Sequence, residues 1–170
     1  MIRFKRWRLL SEAVDMLGRT TSTEAALEVL RDRARAIACA DGVNIVRREG
    51  DEAVFAGEDA IGPIWTMRRM PLRQCVSGIA MLERQPIVIP DIRCDARVPL
   101  NAYLSTFVSS MAVFPIGSGE PIAALGVFWA EARPIEPDAL ALLDTLTRSA
   151  NSTVERLADA AEIAASRRVG

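Results

Sequence analysis

The most restrictive feature of this sequence is two pairs of apolar, strand-like runs that are joined by very short connections. The first pair is Val43–Arg47 with Ala53–Ala56, and the second is Phe107–Ile116 with Pro121–Ala130. Parallel strands need a crossover of about a dozen residues or more, so each pair must form an antiparallel hairpin. The second pair is apolar at both strand parities, which predicts an antiparallel sheet that is covered on both faces.

Helical periodicity precedes, separates and follows the hairpins. Capping-box spacing in Thr21–Glu24 predicts a helix from about 22 to 40. Further helices are predicted for the segment 1–20, for Cys75–Arg84 and for the stretch from Glu136 onward. The expected fold class is α+β, with a central antiparallel sheet of about five to six strands sandwiched between helices and long helices at both termini.

The segment 1–20 is a basic amphipathic helix by its pattern. Five apolar residues are spaced to share one helical face: Phe4, Trp7, Leu10, Val14 and Leu17. This arrangement would turn four basic residues outward: Arg3, Lys5, Arg6 and Arg8. Such a helix suits docking to a membrane surface or to a partner protein. The alternative is that it packs on its own domain or on a twin subunit.

Composition excludes several classes of function. The 170 residues contain no histidine, which removes Ser/His/Asp and Cys/His catalytic pairs, histidine-ligated haem and zinc sites that need histidine. A net charge of −1 gives no global field for nucleic acid, so no nucleic-acid partner is expected. A membrane-spanning helix needs about 18 or more consecutive apolar residues, and no such run occurs, so stable membrane insertion is not expected.

Three cysteines, Cys39, Cys75 and Cys94, form no CxxC pair and cannot all pair within one chain. A reducing compartment is therefore the simplest expectation, and the predicted location is cytoplasmic. Cys39 lies beside alanines and is predicted to be a core residue. Cys75 stands at a predicted helix N-terminus, so its role is open between ligand contact, redox sensing and a buried thiol.

The connection 90–106 lacks regular periodicity, and long connections of this kind are commonly lids or binding loops. Its candidate ligand-binding residues are Asp91, Arg93, Arg97 and Tyr103, with Asp95 between the arginines. The arginines suit recognition of a carboxylate or phosphate, and the alternative is an Arg/Asp network that only staples the loop. A pocket wall or an ordinary core would use four further apolar side chains: Trp65, Phe107, Met111 and Phe128.

The segment from Glu136 carries apolar or small residues in alternating steps of three and four. The series is Leu140, Leu143, Thr147, Ala150, Val154, Leu157, Ala161 and Ala164. This is an a/d seam, and it predicts a homodimer contact through Leu143, Ala150, Val154 and Leu157. Purely intramolecular packing of the same seam is the alternative.

The order of elements resembles a GAF domain, the sensory module related to PAS. The resemblance is sharpest in Pro71–Ile92, Asp95–Pro99 and Met111–Ile116, which are similar to GAF domains placed before histidine kinase modules in bacterial signalling proteins. It implies terminal helices on one sheet face and, on the other, a small-molecule pocket under the Cys75–Arg84 helix and the 91–106 loop. The implied organisation is an N-terminal segment 1–20, a GAF domain 21–160 and a helix end 161–170.

The named GAF activities are poorly matched by this sequence. Bilin-binding members place histidine after the attachment cysteine, whereas here Cys94 is followed by Asp95. Cyclic-nucleotide members carry the motif Asn-Lys…Phe…Asp-Glu. This sequence matches only its Asn and Phe, at Asn101 and Phe107. Free methionine-R-sulfoxide reductases, which share the fold, have a cysteine close to the place of Cys75. Their second motif, Cys-Asp followed by Ser-Glu, is absent from Leu104–Met111.

The resemblance and the residues together predict a non-catalytic sensory or regulatory domain. It would bind an unidentified small molecule or a partner protein and relay the change through its terminal helices, with a histidine kinase or another signalling protein as output. No cofactor and no metal are expected. The alternatives are a thiol redox enzyme or switch related to the reductases, and a GAF-fold dimerisation scaffold.

Overall fold

The computed structural model of the chain describes residues 1–64 and 68–169. Its helices are α1 (Ile2–Arg19), α2 (Thr23–Ala38), α3 (Val76–Glu83), α4 (Leu100–Tyr103) and α5 (Pro137–Val169). Its strands are β1 (Gly42–Glu49), β2 (Glu52–Ala60), β3 (Arg69–Pro71), β4 (Ile87–Ile89), β5 (Ser110–Ile116) and β6 (Ala123–Trp129). The α+β class and the long terminal helices are confirmed.

The strands form one antiparallel sheet in the order β3-β2-β1-β6-β5-β4. Both predicted hairpins are present, as β1 with β2 and β5 with β6. Pairing of β1 with β6 places the two hairpins side by side, so these strands form the centre of the sheet. Every residue of β6 is buried, which confirms that the sheet is covered on both faces.

Two apolar clusters lie on opposite faces of the sheet. The helix-side cluster joins the sheet to α1, α2 and α5, and the lid-side cluster joins it to α3 and to residues 90–109, here called the lid. Residues of one strand alternate between the clusters: Ala112 and Phe114 belong to the helix side, Met111 and Val113 to the lid side. The same central strands therefore contact both layers.

The predicted faces of α1 are wrong in part. Arg6 is buried, whereas 82% of Phe4 and 49% of Trp7 remain exposed. Leu10 and Leu17 are buried as predicted. Arg6 can occupy an inward position because its guanidinium donates to a backbone carbonyl and to a carboxylate, which offsets much of the cost of burying it.

The predicted dimer seam on α5 is corrected at three positions. Leu143, Ala150 and Val154 are buried within the single chain, in the helix-side cluster with α1 and α2, so these side chains are not open to a second copy. Leu157 is half-buried, and the helix continues beyond it with every described residue exposed. The periodicity is the same for a core and for a dimer contact, so the sequence alone could not separate the two.

Candidate functional site

The lid-side cluster brings together most of the apolar candidate residues. Cys75, Tyr103 and Met111 are buried in it, and Phe107 is half-buried against it. Phe128 comes from β6 and completes the same cluster. Trp65 lies outside the described residues. The cluster occupies the space between the sheet, α3 and the lid, which is where the family resemblance implies a pocket.

Cys75 begins α3 as its N-cap. Its Sγ accepts a hydrogen bond from the Gly78 amide at 3.3 Å. Burial raises the pKa of the Cys75 thiol, and the Gly78 hydrogen bond only partly offsets this effect. The thiol is therefore held neutral, which suits a capping and packing role better than nucleophilic chemistry.

Two Asp–Arg pairs staple the lid to itself. Arg93 donates from Nε and Nη2 to the Asp91 carboxylate at 3.0 and 2.9 Å, and Arg97 donates in the same way to Asp95 at 3.0 and 2.7 Å. Each carboxylate also accepts the backbone N–H of its arginine. Hydrogen bonds from these arginines lower the pKa of Asp91 and of Asp95. This geometry is that of the stapling interpretation, with Arg93 and Arg97 exposed at the surface rather than in the lid-side cluster.

Tyr103 lies at the end of α4 with 5% of its surface exposed. Burial raises the pKa of its hydroxyl well above the ordinary value, so the phenol stays neutral. Tyr103 and Cys75 thus give the lid-side cluster polar atoms without adding charge.

Asn44 is a buried polar residue that the sequence reasoning missed. It lies on β1 at the same parity as Val46, a member of the lid-side cluster, and only 3% of it is exposed. Its Oδ1 has no hydrogen-bond partner within the described part of the chain. The amide lies over Gly126 of the paired strand, where a Cβ would collide with Oδ1. The sequence signal that could have identified Asn44 is a polar residue at a position of the strand-like run Val43–Arg47 where a buried side chain is expected.

Two general findings bear on cofactors and membranes. Across residues 1–64 and 68–169, no cluster of three or more cysteine, aspartate or glutamate side chains could hold a metal ion. Within the same residues, no helix is long and apolar enough to span a bilayer.

A central antiparallel sheet with three helices on one face, and with a short helix and a long lid on the other, is the arrangement that the resemblance to GAF domains implies. The chain belongs to the GAF domain family, because the model of that family matches residues 20–155. The resemblance seen in the sequence is thereby confirmed. A search of curated protein sequences finds no match to this chain.

Solved structures similar to this chain include an enzyme, a GAF domain and part of a chemotaxis protein. Free methionine-R-sulfoxide reductase from Neisseria meningitidis, in complex with its substrate, is 18% identical over 91% of each chain, with a TM-score of 0.77. The GAF domain of an Acinetobacter phosphoenolpyruvate-protein phosphotransferase is 13% identical over 89% of this chain and 93% of that one, with a TM-score of 0.74. A methyl-accepting chemotaxis protein is 16% identical over 85% and 96%, with a TM-score of 0.70. At these identities the similarity shows the fold alone.

Proposed function

We propose that this chain is a non-catalytic sensory GAF domain, which binds a small molecule in the lid-side cluster and relays the change through α1 and α5. The observation that carries the proposal is the alternation along the central strands. Met111 packs under the lid while Ala112, the next residue, packs against the terminal helices. A shift of β5 caused by a ligand would therefore displace both layers together.

The chemistry of the cluster favours an uncharged, largely apolar ligand with one hydrogen-bond donor. Cys75 and Tyr103 are neutral there because burial raises the pKa of each group. Asn44 Oδ1 is a buried acceptor without a described partner, and leaving such an atom unsatisfied costs roughly 1–3 kcal/mol. A ligand N–H or O–H directed at Oδ1 would recover that free energy.

The output side of the proposal is a cytoplasmic homodimer that acts on a histidine kinase or another signalling protein. Support comes from α5, which continues past Leu157 with all its described residues exposed. Leu157, Ala161 and Ala164 continue the a/d spacing along this extension, so a second copy of α5 would cover an otherwise exposed apolar stripe. Ligand binding would then bias the packing of the paired helices.

Native mass spectrometry of the purified protein, together with thermal-shift titrations, tests ligand binding. The probes are indole and phenol, which are uncharged aromatic donors, and 1-methylindole, which lacks the donor. We expect indole or phenol to raise the melting temperature, and 1-methylindole to bind at least about tenfold more weakly than indole, the factor that corresponds to one hydrogen bond.

Asn44→Leu should abolish the preference for indole over 1-methylindole, and Asn101→Leu, at an exposed position of α4, should preserve it. Hydrogen exchange across residues 157–169 should also change when the probe binds. If no probe binds and no ligand co-purifies, the sensory proposal fails and the scaffold interpretation replaces it.

A thiol redox enzyme is the second candidate, favoured by the structural similarity to the Neisseria reductase and by the presence of Cys75 in the lid-side cluster. The raised pKa of Cys75 opposes it, because the thiolate is the reactive form. Turnover of free methionine-R-sulfoxide with a dithiol reductant decides the matter. We expect no turnover by the wild-type protein; turnover that Cys75→Ser abolishes would establish the enzyme instead.

A further inference from the structure

A groove of about 490 Å³ lies between α1 and α2, away from the lid-side cluster. Its apolar surface comes from Ile2, Leu9, Ala36, Cys39 and Ala40. Cys39 caps the end of α2 and is exposed, so the prediction that it is a core residue is wrong. Its charged residues are Lys5, Arg6, Asp32, Arg35 and Asp59. The volume is within the usual range for small-molecule sites, about 300–1,000 Å³.

The unpaired charge in this groove is positive. Asp59 is paired with Arg35 at 2.9 Å, and Asp32 is paired with the neighbouring Arg31 at 2.8 Å. Lys5, by contrast, forms no ion pair with any described residue. A bound anion would therefore meet a free cation, while both acids of the groove already have partners.

Arg6 supplies a second unsatisfied donor. Its side chain is 5% exposed, its Nε donates to the Ile37 carbonyl at 2.7 Å and its Nη1 donates to Glu136 Oε2 at 2.8 Å. Its Nη2 is buried and has no hydrogen-bond partner among the described residues. A buried donor on a charged group is costly to leave unpaired, so a ligand acceptor that reached Nη2 as the Arg6 side chain opened toward the groove would stabilise this end of it.

We propose that the groove binds a monocarboxylic acid with a medium-length apolar chain. The carboxylate would lie between Lys5 and Arg6 Nη2, and the chain would cover Leu9, Ala36 and Ala40. A monoanion suits the site better than phosphate, because Asp32 and Asp59 on the groove wall would repel a second negative charge. This site is separate from the proposed lid-side site and does not depend on it.

Binding here would act on the terminal helices through Arg6. The guanidinium connects α1 to the end of α2 through Ile37 and to the residue preceding α5 through Glu136. A ligand carboxylate at Nη2 would share the guanidinium with Glu136, which accepts from Nη1, and repulsion between the two carboxylates would weaken the connection between α1 and α5. The groove is thus placed to modulate the helices that the proposed function uses as output.

Isothermal titration calorimetry of the whole chain tests the proposal by measuring the dissociation constants of octanoate and of 1-octanol, the uncharged control. Octanoate should bind and 1-octanol should bind at least about tenfold more weakly, as expected for loss of a charge-assisted contact. Lys5→Gln should weaken octanoate binding severalfold. Arg8→Gln, which removes an exposed cation of α1 outside the groove, should not weaken it. Glu136→Gln should strengthen octanoate binding, because it removes a negative charge that shares the Arg6 guanidinium with the ligand.

Two exposed cysteines locate the site. Cys39 lines the groove and Cys94 lies on the lid, so octanoate should slow iodoacetamide alkylation of Cys39 at least about fivefold and leave Cys94 unchanged, because a bound chain excludes the reagent from one thiol only. No octanoate binding, equal affinity for octanol, or equal protection of both thiols would overturn the proposal. Protection of Cys39 that follows protein concentration but not octanoate would also overturn it, since a second copy would then cover the groove.

Discussion

Arg6 and Glu136 form an ion pair across 130 positions of sequence, with 2.8 Å between Nη1 and Oε2. The pair is asymmetric: the Arg6 side chain is 5% exposed and the Glu136 side chain is 56% exposed. Because Arg6 also binds the Ile37 carbonyl, one guanidinium joins the first turns of α1, the last turn of α2 and the start of α5. The N-terminal helix is thereby fixed to the body of the domain by a polar contact as well as by apolar packing.

Glu136→Gln should lower the free energy of unfolding by about 1 kcal/mol, because it removes the carboxylate partner of a buried guanidinium while the exposure of Glu136 limits the loss. Urea unfolding followed by circular dichroism measures the change. Glu155→Gln, at an exposed position of α5, is the control and should have little effect. An equal change in both variants would show that the pair adds nothing to stability.

Gly78 is required by the approach of α3 to the turn that precedes it. A Cβ built at Gly78 would overlap the Leu72 carbonyl, which is backbone and cannot rotate away. Gly78→Ala should therefore cost about 3 kcal/mol or more, as expected for severe overpacking.

Gly18→Ala is the matched comparison. Gly18 also lies in a helix, and a Cβ there meets nothing within 4 Å. This variant should gain about 0.5–1 kcal/mol, since alanine is the better helix former. The midpoints of thermal and urea unfolding should fall for Gly78→Ala and rise for Gly18→Ala, each relative to the wild type. A Gly78→Ala protein as stable as the wild type would contradict the close approach of Gly78 to the Leu72 carbonyl.

The Asp95–Arg97 pair makes the stability of the lid depend on pH. The hydrogen bond from Arg97 lowers the pKa of Asp95 from its ordinary value of 3.8, so the stabilisation is present above that value and is lost as the pH falls through the lowered pKa. Asp95→Asn should destabilise the protein by only about 0.5 kcal/mol at neutral pH, because the pair is partly exposed.

The difference between wild type and Asp95→Asn should shrink as the pH is lowered from about 6 to below the ordinary aspartate pKa. Urea unfolding across this range measures it, and Asp159→Asn, at an exposed position of α5, is the control. A difference that grows on acidification would have the wrong sign for a carboxylate with a lowered pKa.

The sheet was well predicted, because the evidence for it lies in short, continuous stretches of the sequence. Connection length alone required both hairpins, and apolar residues at both parities predicted that β6 is covered on two faces. The faces of α1 were harder, because the inward position of Arg6 depends on Ile37 and Glu136, which are remote in sequence. The helical pattern predicts that an arginine faces solvent, whereas hydrogen bonds to these two remote residues hold Arg6 in a buried position.

The grouping of Cys75, Tyr103 and Met111 in one cluster was predictable from the sequence, but the polar chemistry beside them was not. Asp91 and Arg93 share one short loop, so a stapling pair could be weighed from sequence, whereas the importance of Asn44 depends on Gly126 in a strand far along the chain. The a/d pattern of α5 was ambiguous for a different reason, since the same spacing serves the chain's own core as far as Val154.

The remaining part of that seam gives the last prediction. Leu157 is half-buried at the point where α5 leaves the helix-side cluster, and the residues beyond it are exposed. Leu157→Glu should raise the dimer dissociation constant at least about tenfold, because it places a charge in the proposed apolar contact, and it should leave the fold of each subunit intact. Sedimentation velocity over a concentration series measures the constant. Ser152→Glu introduces the same charge at an exposed position of α5 and should leave the constant unchanged; an unaltered constant in Leu157→Glu would exclude the α5 extension as the dimer contact.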